Sequence, residues 1–276
     1  MLKEYRTDLF EQNNSDLIMY TEAKEVQLLR YYEPGPGVFI AESPNVIKRA
    51  LDAGYEPISF LADKDAWNDE LKNICSVIST DKDIPVYIAP HEDISKMTGF
   101  PMTKGLLAAL RRNKLPSITE LLDEIPDARR IVVMEDVMNP TNLGAMYRGA
   151  AALNMDAIIL TKACTDPLYR RASRVSMGTV FQIPWTIAEE DEIRKNLKDK
   201  GYKTVAMALR HDTIDIRDSS LKNEGKLAIY MGSEGPGLKE DTIDSCDYTV
   251  KIPMSHEVDS LNVASAAAIA FWELGQ

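Results

Sequence analysis

The spacing of apolar residues divides the first part of the chain into alternating elements. Up to about residue 33, apolar residues such as Leu9, Leu17 and Leu28 recur at helical spacing, which predicts helix. After the turn "EPGPG", the runs "VFIAES", "EPISFLAD" and "IPVYIAP" predict buried strands. The segments "PNVIKRALDAG", "AWNDELKNICSVI" and "HEDISKMTG" predict the helices that alternate with them. This alternation predicts a compact α/β domain over residues 1–113.

A second α/β pattern follows residues 114–127, which contain two prolines and are predicted to form a linker. Beyond it, strands are predicted at "RIVVMEDV", "AIILT", "TVFQIPW", "KTVAMAL", "KLAIYMG" and "DYTVKIP". Helical segments lie between most of these runs, and a last helix is predicted from Val263 to about Leu274. Residues 128–276 are therefore predicted to form a domain around a largely parallel sheet, with ligands near the carboxyl ends of its strands.

Composition narrows the class of protein. The 276 residues are 45% hydrophobic and 27% charged, which is typical of a soluble globular protein. Apolar runs are too short to predict a membrane span, and the N-terminus lacks the basic-then-apolar order of a secretory signal. The three cysteines and three histidines are widely scattered, which favours a reduced, cytoplasmic protein without a zinc site.

Charge is distributed unevenly along the chain. The net charge of −11 argues against a polyanionic partner, yet residues 99–119 and 167–188 contain basic residues and no acid. The basic residues of interest in these stretches are Lys104, Arg111, Arg112, Arg170, Arg171 and Arg174. A local basic patch can bind a polyanion on an acidic protein, although two solvated faces explain the pattern equally well.

Polar residues follow the first strand of the second domain. In "EDVMNPTNLGAMYRGAAALN", Asn142 is predicted to start a helix, and Arg148 lies six residues further along it. A helix start offers free N–H groups and the positive end of the helix dipole, which suit an anion or a polar ligand. A capping Asn and a surface Arg explain this segment better when it is taken alone.

Two further polar segments follow later strands. In "AIYMGSEGPGL", three glycines allow the backbone to approach a ligand closely, and neither a P-loop nor a dinucleotide fingerprint is present. Glu234 would repel phosphate, so this loop suits a ligand with hydroxyl groups or positive charge. In "IPMSHEVDSLNVASAAAIAFWE", Ser260 and Asn262 stand at the start of an alanine-rich helix, where a simple helix cap is the alternative.

Taken in order, these three segments resemble the three motifs of the SpoU (TrmH) family of RNA ribose 2'-O-methyltransferases, in the SPOUT superfamily. The resemblance covers about Arg130 to Leu274, over half of the chain. The segment "GVFIAESPNVIKRALDAG" also resembles the ribosomal-protein-like substrate-binding domain that is often fused to these enzymes.

The resemblance implies a fold, a cofactor and an assembly. The fold would be an N-terminal ribosomal-protein-like α/β domain followed by a C-terminal α/β domain with a trefoil knot, and the protein would form a homodimer through the knotted region. The cofactor would be S-adenosylmethionine, bound largely by backbone groups at the knot. The residues that match the cofactor site are Leu209, Gly232, Gly237, Ile252, Met254, Ser260, Leu261 and Ala264.

The resemblance also implies catalytic positions, which are Asn142, Arg148, Glu234, Ser260 and Asn262. A guanidinium loses its proton only above a pH of about 12, so we expect Arg148 to bind a substrate phosphate and to stabilise developing alkoxide charge rather than to act as a base. Ser260 and Asn262 would orient Arg148 and the ribose. The six basic residues named above would follow the RNA backbone.

The expected function is therefore S-adenosylmethionine-dependent 2'-O-methylation of ribosomal RNA. Methylation of transfer RNA and a non-catalytic RNA-binding or ribosome-assembly role are the alternatives within this fold. An unrelated α/β nucleotide-binding enzyme is disfavoured because no glycine fingerprint is present.

Overall fold

Two sheets organise the chain, whose computed structural model describes residues 3–6, 15–21, 24–76, 84–98, 105–210, 213–256 and 260–275. The strands β1–β12 are Lys3–Arg6, Val38–Glu42, Pro57–Asp63, Pro85–Ala89, Leu106–Arg111, Arg130–Met134, Ala157–Thr161, Trp185–Ala188, Lys203–Met207, Ile214–Asp215, Leu227–Met231 and Tyr248–Lys251. The helices α1–α12 are Ser15–Thr21, Glu25–Leu28, Pro44–Asp52, Asp69–Ser76, His91–Thr98, Ile118–Glu124, Pro140–Ala152, Arg170–Val175, Glu190–Asp199, Ser219–Asn223, Glu240–Ser245 and Val263–Leu274.

The contacts divide the chain into two compact units. Unit 1 contains Met1–Lys114 together with Leu168–Phe181, and unit 2 contains Leu115–Pro167 and Gln182–Gln276. The segment Leu168–Phe181, which carries α8, thus packs with unit 1 although it lies within the second half of the sequence. The sequence pattern places this segment in residues 128–276, because spacing along the chain does not show which unit a segment packs against.

Unit 1 is built on a five-stranded mixed sheet in the order β1-β4-β3-β5-β2. Strand β5 runs antiparallel to both β2 and β3, whereas β4 is parallel to β1 and β3. The predicted strands and helices of residues 38–98 are confirmed in their order. The first 33 residues are only partly helical, because Lys3–Arg6 forms a strand that pairs with β4, while α1 and α2 follow. Leu9 lies outside the described residues.

Unit 2 contains a seven-stranded parallel sheet in the order β10-β12-β9-β11-β6-β7-β8, which confirms the predicted parallel arrangement. Met134 at the end of β6 is in register with Met231 at the end of β11. The carboxyl ends of β6, β9, β11 and β12 therefore share one edge, where the loops that follow these strands meet. The predicted strand "TVFQIPW" is wrong in its first part, because Thr179–Phe181 forms a 3-10 turn and β8 starts at Trp185.

Residues 114–127 are more ordered than a linker. Ser117 caps α6 by accepting a hydrogen bond from the Glu120 backbone N–H, while the Glu120 carboxylate accepts one from the Ser117 N–H at 2.7 Å. Ile118, Leu121 and Leu122 are buried in an apolar core cluster of unit 2. Most of this segment therefore belongs to unit 2, and its two prolines bracket a helix rather than mark a free connection.

None of the helices in the described ranges has the length and apolar character needed to traverse a lipid bilayer.

Candidate active site

Helix α7 begins at Pro140, two residues before Asn142. Asn139 is the N-cap, and its Oδ1 accepts hydrogen bonds from the backbone N–H groups of Thr141 at 2.9 Å and Asn142 at 3.4 Å. Pro140 occupies the first helical position, where its missing N–H group is not needed. Because Asn139 caps the helix, the side chain of Asn142 is free to make other contacts from the first turn.

The glycine loop after β11 folds back on itself. Ser233 and Gly237 form an antiparallel bridge, and a Cβ at Gly232 would collide with the backbone of Gly237. Gly235 and Gly237 have φ values of 94° and 75°, in the left-handed region that favours glycine. This tight loop presents the exposed side chain of Glu234.

Asn262 has two roles, one for each end of its amide. Its Oδ1 caps α12 by accepting hydrogen bonds from the backbone N–H groups of Ala264 at 3.0 Å and Ser265 at 3.4 Å. Its Nδ2 donates to Glu234 Oε1 at 2.8 Å and to Asn142 Oδ1 at 3.2 Å. The cap fixes the orientation of the amide, so the N–H₂ group points towards Glu234.

Asn142, Glu234 and Asn262 form one hydrogen-bonded group, which we call the amide–carboxylate cluster. Asn142 Nδ2 also donates to Glu234 Oε1, so one carboxylate oxygen accepts from two amides. Asn142 lies in the first turn of α7, which follows β6, whereas Glu234 and Asn262 lie in the loops after β11 and β12. Asn142 is 7% exposed, whereas Glu234 and Asn262 are exposed. The result is an oriented carboxylate that faces solvent.

A cavity of about 590 Å³ lies beside this cluster, with Glu234 and Asn262 in its wall. Of the predicted cofactor residues, the structure brings seven to this wall: Leu209, Gly232, Gly237, Ile252, Met254, Ser260 and Leu261. Ala264 is not among the lining residues, and Ala266 on the same helix is. Arg210, Lys251, Glu234 and Glu240 give the wall charges of both signs.

Arg148 and Ser260 do not join the cluster. Arg148 is exposed on α7, and it makes no hydrogen bond or ion pair with any residue in the described part of the chain. Ser260 is exposed and lines the cavity. The predicted orientation of Arg148 by Ser260 and Asn262 is therefore not present within this chain.

Two of the residues expected to bind RNA form ion pairs with a buried carboxylate. Arg170 Nη1 lies 3.2 Å from Glu42 Oε2, and Arg174 Nη1 lies 3.0 Å from Glu42 Oε1. Glu42 is fully buried at the end of β2, within unit 1. Burial lowers the pKa of the Arg170 guanidinium, and Glu42 opposes that shift. We call this group the buried arginine–carboxylate cluster, in which Nη1 of each guanidinium binds Glu42.

The remaining predicted RNA-binding residues vary in their surroundings. Arg171 is exposed, whereas Arg111 lies over the ring of Tyr32 at 4.7 Å from its centroid. Arg112 Nε donates to the Val38 carbonyl at 3.3 Å. Lys104 lies outside the described residues.

Sequence reasoning missed several residues of the site. Asn139 was hidden by the nearby Asn142, although an Asn immediately before a Pro is a helix-start signal. Arg210 and Glu240 also line the cavity: Arg210 closely follows β9, and Glu240 is the first residue of α11. No group of three or more His, Cys, Asp or Glu side chains in the described ranges is placed to hold a metal ion.

Comparison with known proteins decides the family. The model of the SpoU rRNA Methylase family matches residues 129–272. The chain belongs to the SpoU rRNA methylase family. A tRNA/rRNA methyltransferase of Mycobacterium bovis, named as uncharacterized, is 35% identical over 241 residues, which cover 87% of this chain and 81% of the relative. The 23S rRNA (guanosine-2'-O-)-methyltransferase RlmB of Vibrio cholerae is 33% identical over 62% of this chain and 69% of its own length.

Solved structures show the same fold. The AdoMet-bound rRNA methyltransferase of Sinorhizobium meliloti matches with a TM-score of 0.81 at 22% identity, over 99% of this chain and 97% of that one. The SpoU methyltransferase AviRb of Streptomyces viridochromogenes, in complex with AdoMet, matches with a TM-score of 0.79 at 21% identity, over 95% and 98% of the two chains. The α/β architecture with a mainly parallel sheet is thus that of SpoU methyltransferases.

Proposed function

We propose that the protein methylates the 2'-hydroxyl of a ribose in ribosomal RNA, with S-adenosylmethionine as the methyl donor. The observation that carries this proposal is the amide–carboxylate cluster at the wall of the cavity, built from the three segments that identify the family. The RlmB relative of Vibrio cholerae is named for this reaction on 23S rRNA.

The cavity fits S-adenosylmethionine in size and chemistry. Its volume of about 590 Å³ lies within the range of roughly 300–1,000 Å³ that is usual for small-molecule sites. Leu209 and Leu261 provide exposed apolar surface at its wall, and charges of both signs suit a ligand with ammonium, carboxylate and sulfonium groups. The folded-back glycine loop lets the ligand approach the backbone of Gly232 and Gly237.

When bound, S-adenosylmethionine supplies an activated methyl group: the ribose oxygen forms a new C–O bond, the C–S bond breaks, and the hydroxyl proton leaves. The residues of the chain have to align the hydroxyl and accept or relay its proton. Glu234 presents an anionic acceptor that two amides hold in place. In this mechanism the cluster orients the ribose hydroxyl and favours loss of its proton as the C–O bond forms.

Arg148 binds the substrate phosphate in the proposed complex. Its guanidinium is exposed, and it carries no hydrogen bond or ion pair to the described residues. A guanidinium binds phosphate through paired hydrogen bonds and stabilises developing negative charge. Ser260, in the cavity wall, contributes a hydroxyl that can contact the cofactor or the ribose.

Unit 1 is proposed to bind the RNA substrate, in keeping with its resemblance to a ribosomal-protein-like domain. Two basic residues in the described part of unit 1 support this role, Arg171 and Arg111.

The C-terminal region is proposed to form the knot of the family. Loops that lie far apart in sequence, after β9, β11 and β12, share the cavity, which is consistent with a knot. The chain trace in an experimental density map tests it.

A homodimer through unit 2 is also proposed. Ile269 and Trp272 on α12 are 39% and 62% exposed, and Leu261 is exposed just before the helix. A second copy would cover this apolar surface. Light scattering should give the mass of a dimer, and Trp272→Glu should shift it towards the monomer; a monomeric wild type would contradict the proposal.

Transfer of a tritiated methyl group tests the function. Purified protein, labelled S-adenosylmethionine and separated ribosomal and transfer RNA should give label in ribosomal RNA. Label only in transfer RNA would favour the second candidate, which the name of the mycobacterial tRNA/rRNA methyltransferase also allows. RNA binding without transfer to either RNA would indicate a non-catalytic factor and overturn the proposal.

A further inference from the structure

An ionic group beside the cavity is separate from the amide–carboxylate cluster. Arg210 Nη1 donates to Asp244 Oδ1 at 2.5 Å, and Nη2 of the same guanidinium donates to Glu240 Oε2. The Arg210 side chain is only 26% exposed, although both carboxylates are largely exposed. A guanidinium that joins two carboxylates fixes both more firmly than one isolated surface pair would.

This group joins two parts of the cavity wall. Arg210 lies in the segment 208–210 that follows β9, whereas Glu240 and Asp244 lie one turn apart on α11. The sheet ladder reaches Ala208, whose N–H donates to the Val250 carbonyl at 3.1 Å. Beyond Ala208 the segment is held by the Arg210 ion pairs and by a hydrogen bond of 3.1 Å from Thr213 Oγ1 to the Arg210 carbonyl.

Leu209 lies between the last ladder bond and Arg210. Its side chain lines the cavity, and yet it is 59% exposed. An exposed leucine in a cavity wall gains buried area when an apolar part of a ligand lies against it. Leu209 can cover a ligand only while its segment stays beside the cavity, and the adjacent Arg210 ties that segment to α11.

We propose that Arg210 is a positioning residue for the cofactor: by binding Glu240 and Asp244 it holds Leu209 over bound S-adenosylmethionine and slows its release. This inference rests on the proposed function, since the ligand is the cofactor proposed there. The effect belongs to binding and not to the chemical step, because Arg210 is not part of the amide–carboxylate cluster.

Release kinetics test the proposal. Arg210→Ala should raise the dissociation rate of S-adenosylmethionine by about threefold to tenfold, the range expected when two partly exposed ion pairs are lost. The Kd measured by calorimetry and the KM for the cofactor should rise by the same factor, while kcat at saturating cofactor stays unchanged. Arg210→Lys keeps the positive charge but lacks the planar guanidinium with its several N–H donors, so it should give an intermediate dissociation rate.

The matched control is Arg217→Ala, which removes an exposed pair with Asp215 that does not line the cavity. It should leave the dissociation rate unchanged. The two variants should change the Tm of the cofactor-free protein to the same extent. A wild-type dissociation rate for Arg210→Ala, or an equal increase in Arg217→Ala, would overturn the proposal. A wild-type protein that binds no S-adenosylmethionine would instead overturn the proposed function, and this inference with it.

Discussion

Glu42 and Glu234 both accept hydrogen bonds from other side chains, but in opposite surroundings. Glu42 is fully buried in unit 1, and the guanidinium groups of Arg170 and Arg174 bind its oxygens at 3.0–3.2 Å. Glu234 is exposed in unit 2, and the neutral amides of Asn142 and Asn262 donate to its Oε1.

The difference lies in the charge that remains available. Two cations neutralise Glu42, so its charge stabilises the packing of α8 in unit 1 and cannot act on a substrate. Amide donors orient Glu234 without cancelling its charge, so an accessible anion remains beside the cavity. A cluster of polar residues is therefore not enough to identify an active site. A structural ion pair and a catalytic group differ in the charge of the donors and in the exposure of the acceptor.

The largest predicted effect is on stability, when the cations around Glu42 are removed. The double variant Arg170→Met/Arg174→Met removes two cations from a buried carboxylate, which should lower the free energy of unfolding by roughly 3–5 kcal/mol. Glu42→Gln should have a smaller effect, because the two arginines are 28% and 39% exposed and can hydrate. Urea denaturation measures both. An equal loss of stability in the double variant and in Glu42→Gln would contradict this difference between the buried carboxylate and the partly exposed arginines.

Arg148→Ala tests the arginine that, unlike Arg174, has no ion pair among the described residues. We expect kcat to fall by about 100- to 1,000-fold, the usual effect of losing a group that stabilises developing charge. The Kd for S-adenosylmethionine and the free energy of unfolding should stay close to the wild-type values. Near-normal turnover would refute the role of Arg148, and Arg217→Ala, which removes an exposed arginine of unit 2 outside the cavity lining, is the control that should keep kcat unchanged.

Glu234→Gln isolates the charge of the amide–carboxylate cluster. The variant keeps a carbonyl oxygen for Asn142 and Asn262 but loses the anion, so kcat should fall by about 10- to 100-fold. Stability should change by no more than about 0.5 kcal/mol, since the side chain is exposed. Thermal unfolding and single-turnover methyl transfer on the same preparation provide the check. A large loss of stability with unchanged turnover would reverse the roles assigned to Glu234 and Glu42.

The smallest effect separates the two functions of Asn262. Asn262→Ser keeps a capping oxygen but removes Nδ2, so turnover should fall by roughly tenfold with stability within about 0.5 kcal/mol of wild type. Asn262→Ala should in addition lose about 1 kcal/mol of stability with the cap. Asp218→Ala removes the cap of α10, outside the cavity lining, and should reduce stability alone. Equal turnover in both Asn262 variants and wild type would remove Asn262 from the site.

The sequence predicts the parts of the fold that local patterns control. The parallel sheet of unit 2 follows from continuous apolar strands such as β6, β7 and β11. The helix in residues 114–127 was hidden because its prolines suggest a loop, although Ser117 and Glu120 form a recognisable capping box. Strand β1 escaped prediction because its partner, β4, lies some 80 residues away along the chain.

The sequence predicted which residues form the candidate site, but only part of the contacts between them. The spacing of motifs leads to Asn142, Glu234 and Asn262, which the structure joins, and to most of the cavity wall. Spacing cannot show that Arg170 and Arg174 bind a buried Glu42, because that carboxylate lies more than 120 residues earlier in the chain. Their basic stretch has the composition of an RNA-binding surface, but both guanidinium groups pair with a buried carboxylate.

The most direct test is nucleoside analysis of ribosomal RNA after reaction with the purified protein and S-adenosylmethionine, in parallel for wild type and Glu234→Gln. The account predicts a 2'-O-methylated nucleoside with the wild type, and a greatly reduced yield with an equally stable Glu234→Gln. A methyl group on a base, or an undiminished 2'-O-methyl yield from Glu234→Gln, would contradict the account.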